Sequence, residues 1–205
     1  MKYIITLTGF LGLLGLLIAP WTLNAQEIST ETKTETAIFA AGCFWCIEKD
    51  MEKVKGVKSV VSGYTGGTLE NPTYKQVGTQ KTGHYEAVRV TYDPTVVSYE
   101  QLLSVFWRNH DPFDPRGQFC DKGASYRAAI FPLNEEQRAA AEKSLEETQK
   151  RFSIKIVTPI LEAKTFYLAE GYHQDYYKKN PVRYKFYRWN CGRDQRLEEI
   201  SKAWK

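Results

Sequence analysis

The chain has 205 residues, 42% hydrophobic and 25% charged, with a net charge of +4. That is an ordinary globular composition, long enough for one domain with a real core. A charge this small leaves no footprint for nucleic acid, and the 14% aromatic content reads mainly as core packing, with pocket walls as a sharper use.

Residues 1–25, MKYIITLTGFLGLLGLLIAPWTLNA, start with Lys2, run apolar from Tyr3 to Ala19 and end on Ala25. That is the pattern of a signal peptide, so the chain is expected to be exported, to a periplasm or outside the cell. Leu23 is larger than the usual residue before such a cut, which leaves the cut unfixed. An uncleaved membrane anchor is the alternative, since the apolar run is near the roughly 17–25 residues a span needs. Residues 26–35 are polar and read as a flexible linker, and 36–205 as the folded domain.

Thr36–Ala41 reads as a strand, and from Cys43 the residues Phe44, Ile47, Met51 and Val54 fall at helical spacing until Gly56. Val57–Tyr64 is strand-like, Asn71–Gly83 mostly loop, and His84–Tyr92 a further strand closed by Asp93-Pro94. Ser98 and Gln101 form a capping-box pattern ahead of a helix with Leu102, Leu103, Val105 and Phe106 on its face. His110–Ser125 is a long loop, of the kind that is often functional. Tyr126–Phe131 is a strand, Asn134 caps a helix, and Ile154–Leu161 has strand composition. Leu168–Lys179 is expected to be helical, as is a last segment capped by Asp194. This order predicts an α+β domain with a ferredoxin-like split βαβ core, a mixed or antiparallel sheet with helices packed on it, and long irregular loops. Between Lys178 and Lys205 there are nine Lys/Arg against three Asp/Glu. The tail is therefore basic, either a solvated surface or a docking surface for a partner.

Four cysteines remain to be explained: Cys43, Cys46, Cys120 and Cys191. An even count permits two bridges, in three pairings, where disulfides persist. A core of this size needs no staples, so a chemical role comes first. Structural zinc wants a second short-spaced pair, which Cys120 and Cys191 do not make, so no metal is expected. A redox site fits better. Gly42 ends a strand, Cys43 opens a helix whose N-terminus favours a thiolate, and Cys46 lies one turn on. Phe44 and Trp45 then make sense as walls beside the nucleophile for a small apolar group. A dithiol oxidoreductase acting on disulfides, and a binding domain with two static bridges, are the competing readings.

The motifs GCFW (42–45), SGYTGG (62–67), NPTY (71–74), TGHYEAV (82–88), YDP (92–94), FWRNHDP (106–112), SYRAAIF (125–131) and HQDYY (173–177) occur in order. With them the chain resembles the peptide methionine sulfoxide reductases of the A type, over roughly 38–180. The resemblance implies reduction of methionine S-sulfoxide, in proteins and free, with no bound cofactor. Cys43 is then the nucleophile, and Phe44 and Trp45 cradle the sulfoxide methyl group. Glu86 gives a proton to the sulfoxide oxygen, Tyr64 and Tyr126 hydrogen-bond it, and Asp121 orders the site or its water. Many relatives have Gly where Cys46 stands and recycle through C-terminal cysteines. Here Cys46 is expected to be the resolving thiol, with Cys191 its rival and Cys120 a non-catalytic thiol near the rim. The chain carries no redoxin domain of its own, so a thioredoxin-like partner is expected to reduce the resulting disulfide and to dock on the basic tail. A monomer is expected.

Overall fold

The computed structural model describes residues 33–204 together with Met1 and Tyr3. The expected signal peptide and most of the linker lie outside the described residues. Among the described residues no helix is long and apolar enough to cross a membrane.

In chain order the elements are β1 Glu35–Ala41, α1 Phe44–Glu52, β2 Val57–Thr65, α2 Tyr74–Val77, β3 Tyr85–Tyr92, α3 Tyr99–Trp107, β4 Gly117–Gln118, β5 Asp121–Lys122, β6 Ala128–Phe131, α4 Glu135–Gln149, β7 Tyr167–Leu168, α5 Tyr176–Lys179, α6 Pro181–Asn190 and α7 Arg193–Ser201. Strand order in the main sheet is β6-β1-β3-β2-β7, with every pairing antiparallel. Without the two-residue edge strand β7, this is the split βαβ arrangement expected from the sequence. β4 and β5 form a separate hairpin in the long loop.

The strand period of two sorts the core onto two faces. Phe39 of β1 and Val88 and Val90 of β3 join Ile47 and Met51 of α1 and Leu102, Leu103 and Phe106 of α3 on one face. Ile38, Ala40, Tyr85, Ala87, Ala129 and Phe131 form the other, covered by Leu161, Ala163 and Phe166. Glu86 shares parity with Val88 and Val90, so it points to the α1 side. The caps expected for α3 and α4 are present. Ser98 and Gln101 form a full capping box on α3, and the Asn134 side chain accepts the Gln137 N–H at 2.8 Å.

Five segments depart from the sequence reading. Tyr74–Val77, placed in a loop, is a helical turn started by a Thr73–Gln76 capping box. Ile154–Leu161 forms no strand and keeps a single parallel bridge from Ile160 to Ile130. Pro159 has no N–H to extend that ladder. Leu168–Lys179 is helical only at Tyr176–Lys179. Its start is captured by the edge of β2, where Tyr167 and Leu168 pair with Tyr64 and Gly63. The Gln174 amide then bonds both the N–H and the C=O of Ser62, each at 2.9 Å, as a strand neighbour would. Finally, Pro181–Asn190 is a helix where no element was expected, with Pro181 pre-set for its first turn. The last helix is capped by Gly192, not Asp194, which instead pairs with Arg188.

Candidate active site

β1 ends at Ala41, and Gly42 turns the chain with φ +82. A Cβ there would sit 2.5 Å from Cβ of Gln118, so only glycine lets the hairpin approach the turn. Cys43 follows as the N-cap of α1. The first amide of that helix, Phe44 N–H, donates to Oε2 of Glu86 at 3.1 Å. Nucleophile and candidate acid therefore share one helix end.

Glu86 is 2% exposed, and burial pushes its carboxyl up to about 8, against the pull of the Phe44 N–H and with help from nearby Asp121 and Cys46. At neutral pH it holds its proton. The two thiols are also buried, Cys43 6% exposed and Cys46 1%. Burial, the hydrogen bond to Cys46 and the charges of Cys46, Glu86 and Asp121 raise the Cys43 thiol. Cys46 is lowered to about 6, first by that same hydrogen bond and then by Arg193 and Arg188, against burial. The two thiols titrate as one buried pair, with Cys43 pushed up and Cys46 drawn down. Main-chain geometry seals the pair, with Cys46 N–H donating to the Cys43 carbonyl at 3.0 Å.

Tyr126 lies within the field of Glu86 and Tyr74; burial first, then Glu86, raises its hydroxyl. Tyr74 is raised by burial and by Glu86, and Cys43 and Asp121 lie within its field. It was quoted in the NPTY motif without a role. Tyr64 differs from its expected part. It pairs with Glu86 across β2 and β3, but its hydroxyl donates to Oε2 of Glu170 at 2.9 Å, while Oε1 takes the Tyr74 N–H at 2.8 Å. The carboxylate, a stronger acceptor than a neutral oxygen, claims the Tyr64 proton. Tyr74, rather than Tyr64, is the free partner of Tyr126 at the nucleophile. Asp121 sits beside Cys43, raised by burial, and accepts the Tyr187 hydroxyl.

The aromatic walls are held by the C-terminal segment. The Phe44 ring lies 4.9 Å from His173 and 5.9 Å from Tyr64. Trp45 stacks on Tyr176 at 3.7 Å and meets Tyr187 edge-on at 5.8 Å. Its indole N–H donates to Nδ1 of His173 at 3.0 Å. Burial lowers His173 to about 4, so the ring is neutral with its proton on Nε2. His173 and Tyr176 belong to HQDYY, the signal that could have marked them; Tyr187 lies in the unforeseen helix α6.

Cys120 and Cys191 form a disulfide, with Cα atoms 4.8 Å apart. Cys120 is thus not the thiol expected at the rim, and Cys191 is engaged as long as that bond stands. The carboxylates of Glu48, Glu52 and Asp175 converge, but Lys178 bridges Glu52 and Asp175 at 2.8 and 2.7 Å.

A buried acid, a nucleophile at a helix end, paired phenols and an aromatic cage suit reduction of a small sulfoxide. The comparisons agree. The family model described as peptide methionine sulfoxide reductase matches residues 35–205. The peptide methionine sulfoxide reductase MsrA 2 of Caulobacter vibrioides is 57% identical over 82% of this chain and 86% of its own length. The MsrA of Halalkalibacterium halodurans is 54% identical over 85% and 98%. The reduced form of Mxr1 from Saccharomyces cerevisiae superposes with a TM-score of 0.70 at 33% identity, over 74% of this chain and 88% of Mxr1. The motifs, the site and these relatives together place the chain in the peptide methionine sulfoxide reductase family, as an A-type enzyme with peptide-methionine (S)-S-oxide reductase activity.

Proposed function

We propose that Cys43 attacks the sulfur of a bound methionine S-sulfoxide while Glu86 protonates the leaving oxygen. The observation that carries this is the Phe44 N–H to Glu86 bond at the helix end that presents Cys43. A sulfoxide sulfur is a poor electrophile until its oxygen is protonated, so an acid still protonated near pH 7 beside a thiol is what the step requires. Tyr74 and Tyr126 donate to the same oxygen, and Phe44 and Trp45 hold the methyl group. The protonated oxygen passes from the methionine sulfur to the Cys43 sulfur as its S–O bond breaks, so that methionine leaves, Cys43 becomes a sulfenic acid and the thiol proton returns to Glu86. The Cys46 thiol condenses with it, releasing water and forming the Cys43–Cys46 disulfide. Proximity favours Cys46, and the Cys120–Cys191 disulfide supports that choice over Cys191.

A thioredoxin-like dithiol then reduces the Cys43–Cys46 bond. The Mxr1 protein has been solved in complex with Trx2, which supports this class of reductant. Substrates are methionine sulfoxide in oxidised proteins and the free amino acid, and the role is repair. The leader-like residues 1–25 support action in an exported setting. The test is an epimer-resolved assay with dithiothreitol. The unaltered chain consumes the S epimer and spares the R epimer, and Cys43→Ser consumes neither; turnover by Cys43→Ser would refute the mechanism. Mass mapping of Cys46→Ser after one turnover tests resolution. A Cys43–Cys191 bond formed there at full rate would reassign the resolving role.

A further inference from the structure

We propose that the outer face of α6 is the surface on which the protein reductant docks; the inference rests on the thioredoxin-like partner proposed above. Val182, Phe186 and Trp189 fall at i, i+4 and i+7 of one helix, on a single face. They are 82%, 63% and 74% exposed, and the Phe186 and Trp189 rings lie 6.0 Å apart. The opposite face anchors the helix. Tyr184 is buried against Cys46, Tyr187 bonds Asp121, and Arg188 pairs with Asp50 and Asp194. The stripe is therefore not core awaiting a better fit. Contiguous exposed apolar surface rimmed by charge marks an interaction site.

The charge at its edge is positive and only partly paired. Lys178 is paired with Glu52 and Asp175, and Lys179 donates to the Gly171 carbonyl. Arg183, Lys185 and Lys49 have no carboxylate at ion-pair distance among the described residues. Lys49 and Lys185 border a cavity of about 280 Å³ that reaches from Trp189 down to Tyr184. The complement is a protein with an apolar patch edged by carboxylates.

The location identifies the partner as the dithiol donor. α6 runs roughly 15 Å and ends at Cys191, where the Cys120–Cys191 disulfide meets the surface. The Asp121–Tyr187 contact beside Cys43 lies at that same end. The Cys43 and Cys46 sulfurs are nearly closed to solvent, so a large reductant must be held in place to reach them, whereas a small dithiol need not be. Once docked, one thiolate of the partner attacks the Cys43–Cys46 bond to give a mixed disulfide. Its second thiol displaces that sulfur. The partner's dithiol becomes a disulfide, and Cys43 and Cys46 regain two electrons and two protons.

The test compares turnover supported by a soluble thioredoxin, recycled by its reductase, with turnover supported by dithiothreitol. A Phe186→Ser/Trp189→Ser variant is expected to raise the KM for thioredoxin about tenfold, and Lys185→Glu about threefold with a loss that shrinks at high salt. Both should keep dithiothreitol turnover within about twofold. An unchanged thioredoxin KM in the variants overturns the surface alone, as does an equal loss with both reductants, which would mark a structural fault. Dithiothreitol turnover with no thioredoxin turnover in the unaltered chain overturns the reductant reading and the surface together. Binding to anionic lipid vesicles that the double variant loses, with thioredoxin KM unchanged, assigns the stripe to a membrane and overturns the proposal.

Discussion

The site has two halves built in different ways. Its floor is main-chain architecture: Cys43 sits where β1 turns into α1, and Glu86 lies on β3, the strand at the centre of the sheet. Its wall, residues 170–191, touches the sheet mostly through side chains. Glu48 takes the Ser62 hydroxyl at 3.0 Å and the Asp175 N–H at 2.9 Å, Gln174 bonds Ser62, and Glu170 bonds Tyr64 and Tyr74. A strand register cannot shift without turning every side chain over, so the floor is the place for groups that need sub-ångström placement. The wall, held by side chains, has no such register to fix it.

That contrast predicts graded effects. Glu86→Gln, on the floor, should lower kcat by roughly 10²–10⁴-fold. The pH profile sharpens this. Burial holds Glu86 protonated up to about 8, so activity should fall as pH rises past that value, and Glu86→Gln should erase the fall on the alkaline side. A stability signature accompanies it. Glu86 has a folded value above its ordinary 4.5, so between 4.5 and 8 the native chain keeps a proton that the unfolded chain releases. Stability falls as pH rises through that window, and melting curves of Glu86→Gln should lose that slope.

Next come the phenols. Tyr74→Phe and Tyr126→Phe should each cost about tenfold in kcat, the scale of one hydrogen bond to a developing charge. Tyr64→Phe should cost less than about threefold, because its proton belongs to Glu170. Equal losses at Tyr64 and Tyr74 would erase the distinction between them. On the wall, Glu170→Gln should weaken Tyr64 and Tyr74 anchoring, raising substrate KM a few-fold and lowering stability by about 1 kcal/mol, with kcat nearly unchanged. A kcat loss as large as that of Tyr74→Phe would move Glu170 into the chemistry. The smallest effect on dithiothreitol turnover is expected for Cys120→Ser/Cys191→Ser, within about twofold.

The same division explains what could be read from the sequence. The floor follows from local rules: alternation in Thr36–Ala41 and His84–Tyr92, Gly42 at a left-handed turn, and helical spacing from Cys43. Strand order then follows from the split βαβ pattern. The wall follows from contacts between distant residues. No local signal tells that Gln174 would imitate a strand beside Ser62, that Tyr167 would pair with Tyr64, or that the basic run 181–190 would be a helix with an apolar outer stripe. Tyr64 was singled out over Tyr74 for the same reason. Both lie in motifs, and only the position of Glu170, about a hundred residues away, separates them.

The disulfide between Cys120 and Cys191 closes a covalent ring across 71 positions. A ring of that size removes enough freedom from the unfolded chain to contribute about 4 kcal/mol. It encloses the whole wall, α5 and α6 included. A strong small reductant in excess both feeds the catalytic cycle and cuts this ring. Assays run that way therefore measure a less robust protein than the oxidised one, and gradual heat inactivation during turnover would reflect the buffer as much as the enzyme.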